Sequence, residues 1–197
     1  MQKKAPTRAG IIAAVTAILL FAAVVAAGVE LSTYRIRPDL SDLETCVAEY
    51  SSRGRETAPS PPVKIYDSVT FGKQTVVLLE IGEDLGTAIL QKNLLGYFKI
   101  DRLGYGSGSF RYGVIRHGGR ACMLLGGRNT AGEIAGAEFL QGGTRYHLDI
   151  PQKPRFLVCT EVDASTDELY WDLNTLTLFD SQGRDITERC DLSGGGI

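Results

Sequence analysis

The chain has 197 residues, 44% of them hydrophobic, with 21 Lys/Arg against 23 Asp/Glu and a formal net charge of −2. Beyond a first apolar segment, what remains is long enough for one domain with a real core, or for two small ones. The charge is uneven: residues 1–63 carry 7 Lys/Arg and 6 Asp/Glu, residues 64–160 carry 12 and 8, and residues 161–197 carry 2 and 9. That acidic end argues against the continuous basic face of a general nucleic-acid binder, so no nucleic-acid partner is expected.

Residues 10–29, GIIAAVTAILLFAAVVAAGV, contain no charge, and Thr16 is the one side chain among them able to hydrogen-bond. As a helix this run spans roughly 30 Å, the hydrocarbon thickness of a bilayer. It predicts a transmembrane signal-anchor helix, with the membrane itself as a partner. Lys3, Lys4 and Arg8 lie in the basic tail 1–9, and Arg35 and Arg37 follow the span. This Lys/Arg balance predicts a single-pass protein with a cytoplasmic N-terminus and an extracytoplasmic C-terminal domain. The alternative is a cleaved signal peptide, with a small-residue site at Val25-Ala26-Ala27 before Gly28. Gly10/Ala14, Ala13/Ala17, Ala22/Ala26 and Ala23/Ala27 are small-xxx-small pairs, which admit helix-mediated homo-oligomers.

A short amphipathic helix is predicted over 38–51. Ser41 and Glu44 have capping-box spacing, and Leu40, Leu43, Val47 and Tyr50 recur on one face. Residues 52–62 are rich in Pro and Ser and read as a linker. From Val63 the pattern changes to short apolar runs separated by turn residues. Val63–Asp67, Gln74–Ile81, Thr87–Gln91, Tyr97–Arg102, Phe110–His117 and Ala121–Gly126 read as strands. Gly82–Gly86 reads as a loop, and Gly118-Gly119 as a two-residue hairpin turn. Val76–Leu79 is apolar on both faces, which predicts a central strand.

Glu133–Leu140, Thr144–Ile150, Phe156–Val162 and Leu173–Phe179 form a second set, with a hairpin turn at Gly142-Gly143 and a last short strand at Ile186-Thr187. The fold expected for 63–190 is all-β, an antiparallel meander joined to a sandwich. A subdivision is placed near 128–132, and the tail 191–197 is expected to be disordered.

Cys46, Cys122, Cys159 and Cys190 lie far apart, with no CxxC or Cys/His cluster, so no metal site is expected. Outside the cytoplasm an even count permits disulfides; Cys46 with Cys190 would tie the helix to the C-terminal region. Cys122 and Cys159, in apolar runs, also read as small buried residues. No cofactor motif is present: Gly104–Ser109 is not G-x-G-x-x-G, and no Lys-Ser/Thr follows it. Its glycines instead give backbone freedom beside aromatic and guanidinium groups. Tyr97, Arg102, Tyr105, Ser107, Arg111 and Tyr112 are therefore the candidate binding residues, for a sugar, a peptide or an anionic polymer. The competing reading is a glycine-bent hairpin whose aromatics fill the core.

No catalytic residue is assigned. A small hydrolase using Ser107 or Ser109 with His117 is the enzymatic alternative, although no G-x-S-x-G is present. Asp163, Asp167, Glu168, Asp180 and Asp185 read as acidic turns rather than as calcium ligands.

The run Val76–Lys99, with Gly86-Thr87-Ala88-Ile89-Leu90, then Gly96-Tyr97-Phe98-Lys99-Ile100 and Gly104-Tyr105-Gly106, resembles small membrane-anchored proteins of Gram-positive bacteria that lack an assigned function. Leu176–Thr187 is similar to them as well, so the resemblance covers about 63–188. It implies an N-terminal anchor and an extracytoplasmic β-domain, and it brings no catalytic residues. The expected function is a binding or structural module of the cell envelope, with a polymer, peptide or protein as partner. An accessory subunit of a membrane complex is a further alternative.

Overall fold

The computed structural model describes residues 8–53, 61–164 and 169–196, without the side chains of 9–14. Most of the basic tail, most of the linker, Asp167, Glu168 and Ile197 lie outside the described residues. The chain divides into two compact units, one ending at Arg35 and one beginning at Ile36.

The first unit is helix α1, Arg8–Thr33, 26 residues long. Its stretch Val15–Thr33 is long and apolar enough to cross a membrane. The apolar side chains from Val15 to Leu31 are exposed. The helix continues past Val29 because Ser32 Oγ and Thr33 Oγ1 each donate to the Val29 carbonyl, at 2.9 and 2.8 Å, closing a last turn.

The second unit is mostly β. Its short helix α2 spans Leu43–Ser51, not 38–51. Leu40 takes a left-handed turn (φ 59°) that stops the helix from starting at Pro38. The capping box does not form, because Ser41 Oγ donates instead to Asp39 and Asp42, at 2.8 and 3.1 Å. Leu43 and Val47 of α2 are fully buried.

They rest on a four-stranded antiparallel meander, β1 (Val63–Phe71), β2 (Gln74–Ile81), β3 (Asp84–Lys92) and β4 (Phe98–Gly106). The loop expected over Gly82–Gly86 is a two-residue turn, since Ile81 pairs directly with Asp84. Gly82, at φ 64°, supplies the positive φ, and Leu85 and Gly86 continue the ladder. β1 likewise runs on past Asp67 to a turn at Gly72-Lys73, with an irregularity between Ile65 and Asp67.

A second sheet has the order β11-β5-β6-β9, from Gly194–Gly196, Phe110–His117, Arg120–Arg128 and Arg155–Val162. A third has the order β10-β7-β8, from Thr177–Phe179, Gly136–Gln141 and Thr144–Asp149. Hairpins turn at Gly118-Gly119 and Gly142-Gly143 as the sequence predicts.

Alternation along the strands explains the layering. On β2, Val77, Leu79 and Ile81 face α2, whereas Val76 and Leu78 face the second sheet. On β6, Cys122 and Leu124 meet the meander, whereas Ala121, Met123 and Leu125 meet the third sheet. The two sheets nearest α2 are also clamped by a charge. Glu80 on β2 accepts from Tyr66 (2.5 Å), Arg155 (2.8 Å) and Arg128 (3.2 Å), the arginines belonging to β9 and β6. Burial opposes its ionisation, but the hydrogen bonds from Tyr66 and the two arginines prevail and hold its pKa below the ordinary value.

Two elements differ from expectation in the C-terminal third. Leu173–Thr175 is a 3-10 turn with Asp172 accepting from the Asn174 amide, so only Thr177–Phe179 joins the sheet. Ile186 is buried but leads into a 3-10 turn, Thr187–Arg189, rather than a strand. Across 128–132, β6 pairs with β9 along its length, and buried Asn129 bonds both the N–H and the C=O of Ile134. Residues on both sides of that segment share one core.

Candidate functional site

The glycine-rich run that ends β4 leads into a corner at which the chain leaves the first sheet for the second. β4 ends at Gly106, and β5 begins at Phe110. The tail expected to be disordered closes over this corner. Gly194–Gly196 form β11, parallel to the start of β5, with Gly194 opposite Phe110 and Gly196 opposite Tyr112. The other ladders are antiparallel. Between the two glycine runs, 104–108 and 194–196, lies an open groove of about 400 Å³.

Glycine is required here by close approach. A Cβ on Gly108 would stand 2.7 Å from both Gly194 Cα and the Ser193 carbonyl. A Cβ on Gly194 would run into the carbonyl oxygen of Phe110. The two backbones meet at a distance that no larger residue permits.

Arg111 forms the charged floor of the groove. It is 3% exposed. Its Nε and Nη2 donate to the Leu85 carbonyl at 2.9 and 2.6 Å, Nη2 to Gly106 at 2.6 Å, and Nη1 to Phe110 at 3.0 Å. Burial pushes its pKa down, and the negative charge of Asp84 opposes that. These carbonyls hold the guanidinium rigidly without neutralising it. A Cβ at Gly195 would sit 3.2 Å from Nη1, so the cation lies directly against β11.

Of the six candidate binding residues, Tyr105, Ser107 and Arg111 line the groove. Tyr112 reaches it through its hydroxyl, which donates to the Gly194 carbonyl at 3.5 Å. Tyr97 and Arg102 are elsewhere. Tyr97 closes the turn before β4, its N–H donating to Asn93 Oδ1 at 2.9 Å, and Arg102 is exposed opposite Ile89. The sequence reading missed Ser193–Gly196, whose only signal was a glycine run matching the one at 104–108.

The Ser/His arrangement is not assembled. Ser109 precedes β5 and His117 ends it, roughly 25 Å apart along an extended strand. His117 packs instead at the Gly72 turn. His147 lies on an exposed strand near Glu138 and Asp149, at 3.6 and 3.3 Å. Asp180 and Asp185 are turn caps, each accepting backbone N–H groups in its own loop. Among the described residues, no group of three or more His, Cys, Asp or Glu is placed to hold a metal.

All four cysteines are free thiols. Cys46, on α2, packs against the core between that helix and the meander, and Cys190 packs with the third sheet's core, so the tie between helix and C-terminal region does not form. Cys122 and Cys159 lie on one face of neighbouring strands, and the Cys122 thiol donates to the Met123 carbonyl at 3.8 Å. The interaction between the two thiols lowers the Cys159 pKa to about 7 and raises that of Cys122.

No protein-family profile, curated protein or solved structure matches the chain, so the resemblance to Gram-positive envelope proteins remains an expectation and the groove is read on its own chemistry.

Proposed function

We propose that the protein is a membrane-anchored, extracytoplasmic binding module that takes an extended, glycine-bearing peptide at the edge of β5, in the place held by its own Gly194–Gly196. The observation that carries this reading is β11 itself: a three-residue, side-chain-free strand docked in parallel on a sheet edge over a fixed cation. A triglycine strand loses much chain entropy on docking and buries no side chain, so it is held weakly. An added strand gains affinity from main-chain hydrogen bonds and selectivity from what the edge admits at each register. Here the position of Gly194 admits only glycine, whereas a Cβ at Gly196 would meet open space.

Helix α1 supports the anchoring, and the basic residues before it support a cytoplasmic N-terminus. The body would then face outward, where peptide and polymer ends of the envelope are available.

The test uses the full chain in detergent micelles and a labelled peptide with three central glycines. With β11 docked about nine-tenths of the time, deleting residues 194–197 raises the apparent affinity about tenfold. A peptide with valine at the position matching Gly194 should not bind. If the shortened chain binds neither peptide at millimolar concentration, or both equally, the reading is wrong.

A further inference from the structure

The turn between β3 and β4 carries two leucines that no core explains. Leu94 is 97% exposed and Leu95 68% exposed. Their loop is not loose. Asn93 Oδ1 accepts from the Leu95 and Tyr97 amides at 3.0 and 2.9 Å. The Asn93 N–H donates to the Tyr97 carbonyl at 2.9 Å, and the Gly96 N–H returns to the Asn93 carbonyl at 3.2 Å. Gly96, at φ 91°, completes the turn. A tip fixed by four hydrogen bonds presents both leucines to solvent as its stable conformation.

The position of the loop within the body identifies the partner. Ile36, the first residue of the body, forms a two-way backbone bridge with Phe98, at 3.0 and 2.8 Å. The loop 93–97 ends next to Phe98, and Pro38 lies 3.7 Å from where a Cβ on Gly96 would stand. The leucines therefore project beside the place at which the chain enters the body. Only Tyr34 and Arg35 separate the end of α1 from Ile36, a reach of at most about 11 Å. The loop itself has no acidic residue, and exposed Lys92 precedes it.

We infer that Leu94 and Leu95 insert into the membrane interface as a second, shallow lipid contact of the body. This rests on the reading of α1 as a membrane anchor. Two apolar side chains entering the headgroup–acyl boundary, with a lysine beside them for anionic headgroups, restrict how the body tumbles on its tether. The groove would then be held in a fixed orientation to the bilayer.

The test places tryptophan in the full-length protein in phosphatidylcholine/phosphatidylglycerol vesicles containing lipids brominated either near the carbonyl end of the acyl chain, for position 94, or near its middle, for position 21, with Trp171 as a constant internal reference. Leu94→Trp should show blue-shifted emission and lose intensity in the brominated vesicles. Phe21→Trp, within α1, reports the anchor, and Leu140→Trp, on the third sheet, should be unaffected. Quenching at position 21 but not at 94 overturns the inference and leaves the anchor intact. Quenching at neither position overturns the anchor reading. Shielding of position 94 only in native membranes, and not in pure lipid, would assign the leucines to a protein partner and equally overturn the inference.

Discussion

Glu80 and Arg111 are both buried charges in the same β-body, and they are satisfied in opposite ways. Glu80 draws a tyrosine and two arginines from three other strands onto one carboxylate. Its charge is compensated, and its effect is to fasten two sheets together. Arg111 is held by the carbonyls of Leu85, Gly106 and Phe110 through four hydrogen bonds, which leave a net positive charge against the glycine groove. A buried charge that is fully paired belongs to stability; one fixed by dipoles beside an opening is available to a ligand.

The largest effect should come from breaking the first of these. Glu80→Ala leaves two arginines uncompensated and should cost about 3 kcal/mol, read by thermal or denaturant melting. Peptide binding by the protein that remains folded should be unchanged. Arg111→Met orphans three carbonyls and should cost about 2 kcal/mol, and it should also weaken peptide binding. If both variants lost stability alone, the distinction between clamp and site would fail.

The same contrast has a pH signature. The pKa of Glu80 is lowered in the folded protein, so its stabilisation is fully present above the ordinary carboxylate value and is lost as pH falls through the lowered one. Melting followed from pH 7 downward should show acid destabilisation that is blunted in Glu80→Gln.

Substitutions of two glycines sharpen the second half of the comparison. Gly194→Val should evict β11 at a cost of about 1.4 kcal/mol, the equivalent of its nine-tenths occupancy, and raise affinity for added peptide about tenfold. Gly108→Val closes the groove from its other wall and should abolish binding. The smallest effect concerns Cys159. Its maleimide labelling should rise through neutral pH, below the range of an ordinary thiol, and return to that range in Cys122→Ala.

The elements legible in the sequence were those with local signals. Val76–Leu79 announced a strand covered on both faces, and each Gly-Gly pair announced a tight turn. What stayed hidden was non-local. Gly194–Gly196 has no hydropathy, and its pairing with Phe110–Tyr112 spans more than eighty residues, so nothing near it distinguished a strand from a loose tail. Tyr97 and Arg102 are near Arg111 in sequence, yet Arg102 lies within extended β4 and Tyr97 in the turn before it, both away from the corner. Tyr105, Ser107 and Arg111 were placed together because the corner is short. The convergence of three arginine and tyrosine side chains on Glu80 could not be read, since the four residues come from four strands.

Hydrogen exchange at the amides of 110–112 and 194–196, in the full-length protein with and without an excess of the triglycine peptide, distinguishes a replaceable strand from a fixed one. Residues 194–196 should lose protection when peptide is added while 110–112 keep theirs, because one strand has replaced another on the same edge. Unchanged exchange in both segments at saturating peptide would contradict that replacement.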